Sequence, residues 1–280
     1  MSFFADWRRL RLSRLTAYHG LNAVVTGASS GIGRLLALRF AAHGARVALV
    51  ARRADALEAV AAEIRARGGD ALVLPVDISD PAAVQDAARV ALDRFGTVDI
   101  LVNNAGYGHR RAFLDWDLED MERVMRVNYF GTLYWTKTLL PYMVERRRGW
   151  LVFIASVAGK IGVPEESAYA ATKFAMVGLA ESLSVEVEDA GVHVLTVCPG
   201  VIRTSFFDEE ALARMPPVAR RGMVDPEPLV DAIVRALAVG RRELTFPRPI
   251  AAAYVAKAFA PGFVRRNLKR TTLDSLRKRR

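Results

Sequence analysis

Leu21-Asn22-Ala23-Val24-Val25-Thr26-Gly27-Ala28-Ser29-Ser30-Gly31-Ile32-Gly33 is the stretch that decides the fold of this chain. An apolar run passes into a loop with three glycines, and a helical pattern follows at once over 32–43. Glycine lets backbone amides come close to a phosphate, and a helix N-terminus favours its negative charge. Such a loop by itself is a weak signal. Between a first strand and a first helix it is a much stronger one.

The same alternation continues outward. Apolar runs over 21–26, 46–51, 71–76, 98–103, 150–155, 192–197 and 243–246 read as strands. Helical patterns fill the intervals at 54–67, 81–95, 167–190 and 226–239, two helical stretches run over 118–147, and 203–222 reads as irregular. Gly68-Gly69 ends one helix; Asp80 and Pro81 begin another as N-cap and first-turn residue. Short Val/Ile/Leu-rich strands separated by helices form a parallel sheet covered on both faces. With right-handed crossovers this predicts a three-layer, doubly wound (Rossmann) α/β fold, mostly parallel, seven-stranded and a single domain. The expected organisation is a basic amphipathic segment over 1–20, a catalytic domain over 21–246 and an apolar-then-basic extension over 247–280.

The second strand bears on which dinucleotide the loop accepts. An NAD site places Asp or Glu near that strand's end for the ribose hydroxyls. Here it ends Val50-Ala51-Arg52-Arg53, with two guanidinium groups and no carboxylate. Arg52 suits a 2′-phosphate, so NADP(H) is the expected cofactor.

Further on stands Tyr169-Ala170-Ala171-Thr172-Lys173, with Ser156 upstream. A phenol and an amine four residues apart share one face of a helix. A phenol with its ordinary pKa of about 10 is a poor acid or base at neutral pH, and a neighbouring ammonium favours its ionised form. Ser156 can hold a substrate oxygen against it. Seven Tyr and six Lys in 280 residues produce about 0.15 such pairs by chance, so the pair needs support from elsewhere in the chain.

That support is a set of motifs in order: the glycine loop at 26–33, Asp77 after the third strand, Asn103-Asn104-Ala105-Gly106 after the fourth, Asn128, Ser156, Tyr169, Lys173, and Pro199-Gly200 after the sixth. In this, residues 20–245 resemble the short-chain dehydrogenases/reductases. The resemblance implies Tyr169 as proton donor in carbonyl reduction and Lys173 as the group that lowers its pKa and binds the nicotinamide ribose. It implies Ser156 on the carbonyl oxygen and Asn128 holding a water that links Lys173 to solvent. The cofactor would be lined by Gly27, Ser29, Ser30, Gly31, Ile32, Gly33, Arg52, Arg53, Asp77, Ile78, Asn104, Ala105, Gly106, Tyr169, Lys173, Pro199, Gly200, Ile202 and Thr204. Asp77 would meet the adenine amino group. The family's usual pairing through the helices near 128–147 and 167–190 implies a homodimer.

Composition sets the remaining bounds. Hydrophobic content of 52% with 25% charged residues suits a globular chain. One cysteine, Cys198, excludes an internal disulfide, so a reducing compartment is the default. His19, His43, His109 and His193 have no ligand spacing, and no metal is expected. No stretch has the roughly 20 apolar residues of a membrane span, and the start lacks a signal-peptide pattern. The expected location is the cytoplasm, with peripheral membrane contact as a further option.

The net charge of +10 is uneven. Residues 1–20 carry four Arg and one Asp; residues 245–280 carry ten basic residues and one Asp. The body between them is close to neutral. Phe3, Phe4, Trp7 and Leu10 fall beside Arg8, Arg9, Arg11 and Arg14, and residues 250–263 are apolar before a basic end. These tails fit a membrane interface. Residues 250–263 equally fit a flap over a pocket or packing on the core. Nucleic acid is not expected, since no recognition motif accompanies the charge.

Phe206, Phe207, Leu212, Met215, Pro216 and Pro217 give the irregular 203–222 segment the character of an apolar lid. Together these features point to NADPH-dependent reduction of a hydrophobic, lipid-like carbonyl compound: a 3-oxo lipid, steroid, retinoid, or long-chain aldehyde or ketone. Two rivals stand beside that reading. One is a 3-oxoacyl-carrier-protein reductase; the other is a membrane-surface protein that senses lipid or cofactor without turnover.

Overall fold

A computed structural model of the chain describes residues 18–273. Seven strands form one sheet in the order β3-β2-β1-β4-β5-β6-β7: β1 (Asn22–Thr26), β2 (Arg46–Ala51), β3 (Ala71–Pro75), β4 (Ile100–Asn103), β5 (Gly149–Ile154), β6 (Val192–Pro199) and β7 (Glu243–Phe246). Every pairing is parallel, so the expectation of a mostly parallel sheet becomes an entirely parallel one. The reason lies in the connections, each of which returns to the same end of the sheet through a helical crossover.

The pleat explains why these strands are apolar at nearly every position. In β1, Ala23 and Val25 face one core while Val24 faces the other. The first core is closed by α1 (Gly31–Ala42), α2 (Ala54–Ala66) and α9 (Pro226–Ala238), through Leu36, Phe40, Leu57, Ile64, Leu229 and Ile233. The second is closed by α3 (Pro81–Phe95), α5 (Gly131–Glu145) and α6 (Ser167–Glu186), through Val84, Trp135, Leu139, Met143 and Met176. Asp80 caps α3 as its sequence indicates, accepting from the amides of Ala82 at 2.9 Å and Ala83 at 3.2 Å.

The two helical stretches expected over 118–147 are α4 (Leu118–Met125) and α5, joined by a π-turn at Arg126–Phe130. The 203–222 segment holds two short helices, α7 (Glu209–Arg214) and α8 (Pro217–Arg221). The start of the extension is helical too, as α10 (Ala251–Phe259) and α11 (Pro261–Leu268). The aromatic-basic segment at 1–17 and the last basic residues, 274–280, lie outside the described residues.

Candidate active site

The carboxyl ends of the strands open onto one cleft of about 890 Å³, within the usual range for small-molecule sites. It lies where β1 has β2 on one side and β4 on the other, the point at which such sheets leave a crevice.

At one end of the cleft, Gly27, Ser29, Ser30, Gly31 and Ile32 line the wall. Gly33 does not, and its role is steric: a Cβ there would lie 2.3 Å from the Gly27 carbonyl oxygen. The loop is clamped from the other side. Thr26 Oγ1 accepts from the amides of Asn104 at 2.9 Å and Ala105 at 3.0 Å, and Asn104 Nδ2 donates to the Thr26 carbonyl at 2.9 Å. Ser30, the N-cap of α1, makes no side-chain cap, and the first turn has no acidic residue. The orphan amides of α1 are therefore open to an anion, as a pyrophosphate requires.

Arg52, Arg53, Asp77 and Ile78 continue this wall, with both arginines exposed. Arg53 Nη2 lies 3.5 Å from Ser29 Oγ, which brings the end of β2 to the glycine loop. Asp77 Oδ1 accepts from Ser79 N at 2.9 Å and Ser79 Oγ at 2.7 Å. Partial burial works against the charge on Asp77, but these hydrogen bonds and the Arg52 guanidinium hold its carboxyl below the ordinary value. Ala105, Gly106, Pro199, Gly200, Ile202 and Thr204 line the same cleft farther along.

At the other end stand Ser156, Tyr169 and Lys173. Ser156 Oγ accepts from Ala158 N at 3.0 Å and is hydrogen-bonded to the Tyr169 phenol. Gly108 makes room for that phenol: a Cβ on it would lie 2.8 Å from Tyr169 Cδ2. Phe206 of the lid packs on the ring of Tyr169, with centroids 5.5 Å apart.

Burial dominates the electrostatics of the Tyr169–Lys173 pair. Lys173 Nζ donates to the Ile154 carbonyl at 2.7 Å and lies 5.6 Å from the centroid of the Tyr169 ring. Burial lowers Lys173 to about 8. Burial raises the Tyr169 phenol above its ordinary value, and the Glu166 charge adds to this while the Ser156 hydrogen bond opposes it. The sole thiol is no competitor as a nucleophile, because burial pushes Cys198 up to about 12.

The lowered pKa of Lys173 has a consequence for stability. The folded chain binds that proton more weakly than the unfolded chain, so the buried charge opposes folding below about pH 8. The penalty fades as pH rises toward the ordinary lysine value of about 10.4. Lys173→Met is expected to be more stable than the wild type at neutral pH by about 1–3 kcal/mol, with the gap closing in alkali. Urea denaturation of both proteins across that range checks it; a constant gap, or a less stable variant at neutral pH, contradicts it.

Asn128 does not line the cleft. Its Oδ1 accepts from Tyr107 N at 2.9 Å, and its Nδ2 donates to Tyr107 O at 2.8 Å and Thr172 Oγ1 at 3.2 Å. Fully buried, the side chain fixes the loop after β4 against α6. Both of its amide protons are committed within the protein.

Sequence reasoning missed Arg110 and Glu166, which also line the cleft. Arg110 Nη2 lies 2.5 Å from Glu166 Oε1, with side chains 7% and 15% exposed. Burial pushes the Glu166 carboxyl up, and the Arg110 guanidinium pulls it back. A buried pair of this kind is costly to break from one side, so it holds the two loops across the cleft. No local pattern links positions 110 and 166. Val163, Val218 and Ala219 are further wall residues not foreseen, whereas Phe206, Phe207 and Met215 of the expected lid do face the cleft, as does Ile250 at the start of the 250–263 segment. Leu212, Pro216 and Pro217 are not among the lining residues.

A Rossmann cleft with a glycine loop at one end and a Ser-Tyr-Lys group at the other defines a nucleotide-dependent oxidoreductase class. Residues 21–214 match the short chain dehydrogenase family, and the chain belongs to it. It is 36% identical over 277 residues to dehydrogenase/reductase SDR family member 7B of Bos taurus, covering 94% of this chain and 85% of that one. It is 37% identical over 223 residues to oxidoreductase UcpA of Escherichia coli (strain K12), covering 79% and 82%. Among solved structures it is similar to a short chain dehydrogenase/reductase from Burkholderia phymatum in complex with NAD. That match has a TM-score of 0.80 and 27% identity, and covers 88% of this chain and 95% of that one. It is also similar to a 7α-hydroxysteroid dehydrogenase complexed with NADH and 7-oxo glycochenodeoxycholic acid, with a TM-score of 0.75, 27% identity, and coverage of 82% and 94%. The protein is an oxidoreductase with a nicotinamide cofactor.

Proposed function

We propose that the protein reduces a carbonyl group of a hydrophobic, lipid-like substrate with NADPH, using Tyr169 as the proton donor. The observation that carries this is one continuous cleft, with Arg52 and Arg53 beside the glycine loop and Tyr169 at the far end under an apolar lid. A bound nicotinamide supplies the hydride. The rest falls to the chain. The Ser156 hydroxyl holds the carbonyl oxygen against the phenol, and Tyr169 delivers its proton to that oxygen as the carbon accepts the hydride. Lys173 anchors the ribose side and supplies positive charge in a water-poor pocket.

The substrate class rests on the lid. Phe206, Phe207, Met215, Val218 and Ile250 present an apolar wall opposite the Arg110–Glu166 pair. NADPH oxidation with long-chain ketones, 3-oxo lipids and apolar aldehydes should be faster than with small hydrophilic carbonyls, and slower with NADH than with NADPH. No oxidation with any carbonyl would favour the non-catalytic sensor; preference for a carrier-bound 3-oxoacyl group would favour the carrier-protein reductase.

The active form in this reading is a homodimer paired through α5 and α6, which expose Tyr142, Phe174 and Val185. Its partner surface beyond the substrate is a membrane met by the C-terminal extension. No helix among the described residues is long and apolar enough to cross a membrane. The location in this reading is the cytoplasm with peripheral membrane contact, and the organisation is segment 1–20, domain 21–246 and extension 247–280.

A further inference from the structure

We propose that the exposed face of α10 and α11 is a docking surface for an anionic phospholipid bilayer, set beside the mouth of the substrate cleft. This deepens the reading of a lipid-like substrate and rests on it for its purpose, though not for its test.

Val255, Phe259 and Phe263 protrude from these two short helices with exposures of 60%, 86% and 64%. Val255 and Phe259 are four residues apart on α10 and share its outer side. From 247 to 273 the chain has six basic residues and no acidic one. Arg265, Arg266, Lys269 and Arg270 are exposed, and none takes part in an ion pair among the described residues. Lys257 is different: it donates to the Lys160 carbonyl at 2.7 Å and lies over the Phe174 ring at 5.0 Å, which ties α10 to the body. The face is thus held in place while its apolar tips stand in solvent and its cations lack acidic partners.

Three features select the occupant. Self-association through this face would set cations against cations across a twofold axis, with no acid among residues 247–273 to relieve them. A protein partner needs pockets for side chains that stand out singly, whereas a bilayer interface accepts protruding aromatics anywhere along its plane. Anionic lipid headgroups supply the missing negative charge. The location adds a use. Ile250, which directly precedes α10, lines the cleft, so a surface-bound molecule holds that mouth beside the lipid.

The test uses the full chain and sedimentation with vesicles of phosphatidylcholine, with and without phosphatidylserine. Binding is expected to the anionic vesicles only, and to weaken as salt rises. Phe259→Ser/Phe263→Ser and, separately, Arg265→Glu/Arg266→Glu should each lower partitioning. Neutralising two cations alone gives about 30-fold, and charge reversal exceeds that. Reduction of a water-soluble carbonyl should be unchanged in both variants, which reads the reductase function independently of docking. Equal binding of wild type and variants would overturn the proposal, as would equal binding to neutral vesicles. Loss of a soluble oligomer in the phenylalanine variant would assign the face to a second copy instead.

Discussion

Tyr169→Phe is expected to lower kcat for carbonyl reduction by about 10²–10⁴-fold, the usual contribution of a positioned general acid. The change removes one oxygen and leaves the packing. Phenylalanine keeps the ring contact with Phe206 and the fit against Gly108. The only hydrogen bond at stake is with Ser156, so Ser156 loses a partner but the cleft keeps its shape. NADPH binding, read by fluorescence titration, should therefore survive while turnover collapses. Undiminished turnover in this variant would remove Tyr169 from the chemistry.

Arg52→Asp/Arg53→Ser is expected to reverse the cofactor preference. Each charge-assisted hydrogen bond to a phosphate contributes about 1.5–3 kcal/mol, so losing both should reduce kcat/KM for NADPH by roughly 10²-fold or more. Efficiency with NADH should hold or improve, because a carboxylate at the end of β2 meets ribose hydroxyls. The solved relatives that carry NAD and NADH make this comparison decisive. Equal efficiencies with the two cofactors in the wild type, or no change in the variant, would take the two arginines out of cofactor selection. Arg53 is the more informative single change, since it is the one that reaches Ser29.

Both predictions concern residues that local sequence pattern makes legible. The glycine loop, Arg52, Asp77, Ser156, Tyr169 and Lys173 sit at strand ends or helix starts, where local pattern and function coincide. Strand positions are legible because buried parallel strands are apolar on both faces, as Ala23, Val24 and Val25 illustrate. The π-turn that joins the two helical stretches at Arg126–Phe130 is not, because a helical pattern persists through a change in backbone hydrogen bonding. Nor are the two short helices over the cleft, whose few turns leave no periodic signal.

A doubly wound parallel sheet, a nucleotide loop at its switch point and a Tyr-Lys pair on one helix are written in the order of residues. They follow from periodicity and short-range spacing, which a chain carries locally. Folding alone makes Lys173 donate to the Ile154 carbonyl, clasps Asn128 to Tyr107, pairs Arg110 with Glu166 and lays Phe206 on Tyr169. Each of these joins segments distant in sequence, brought together by the order of strands in the sheet. Such a contact has no spacing to read, and its electrostatics depend on how much water the assembled cleft excludes.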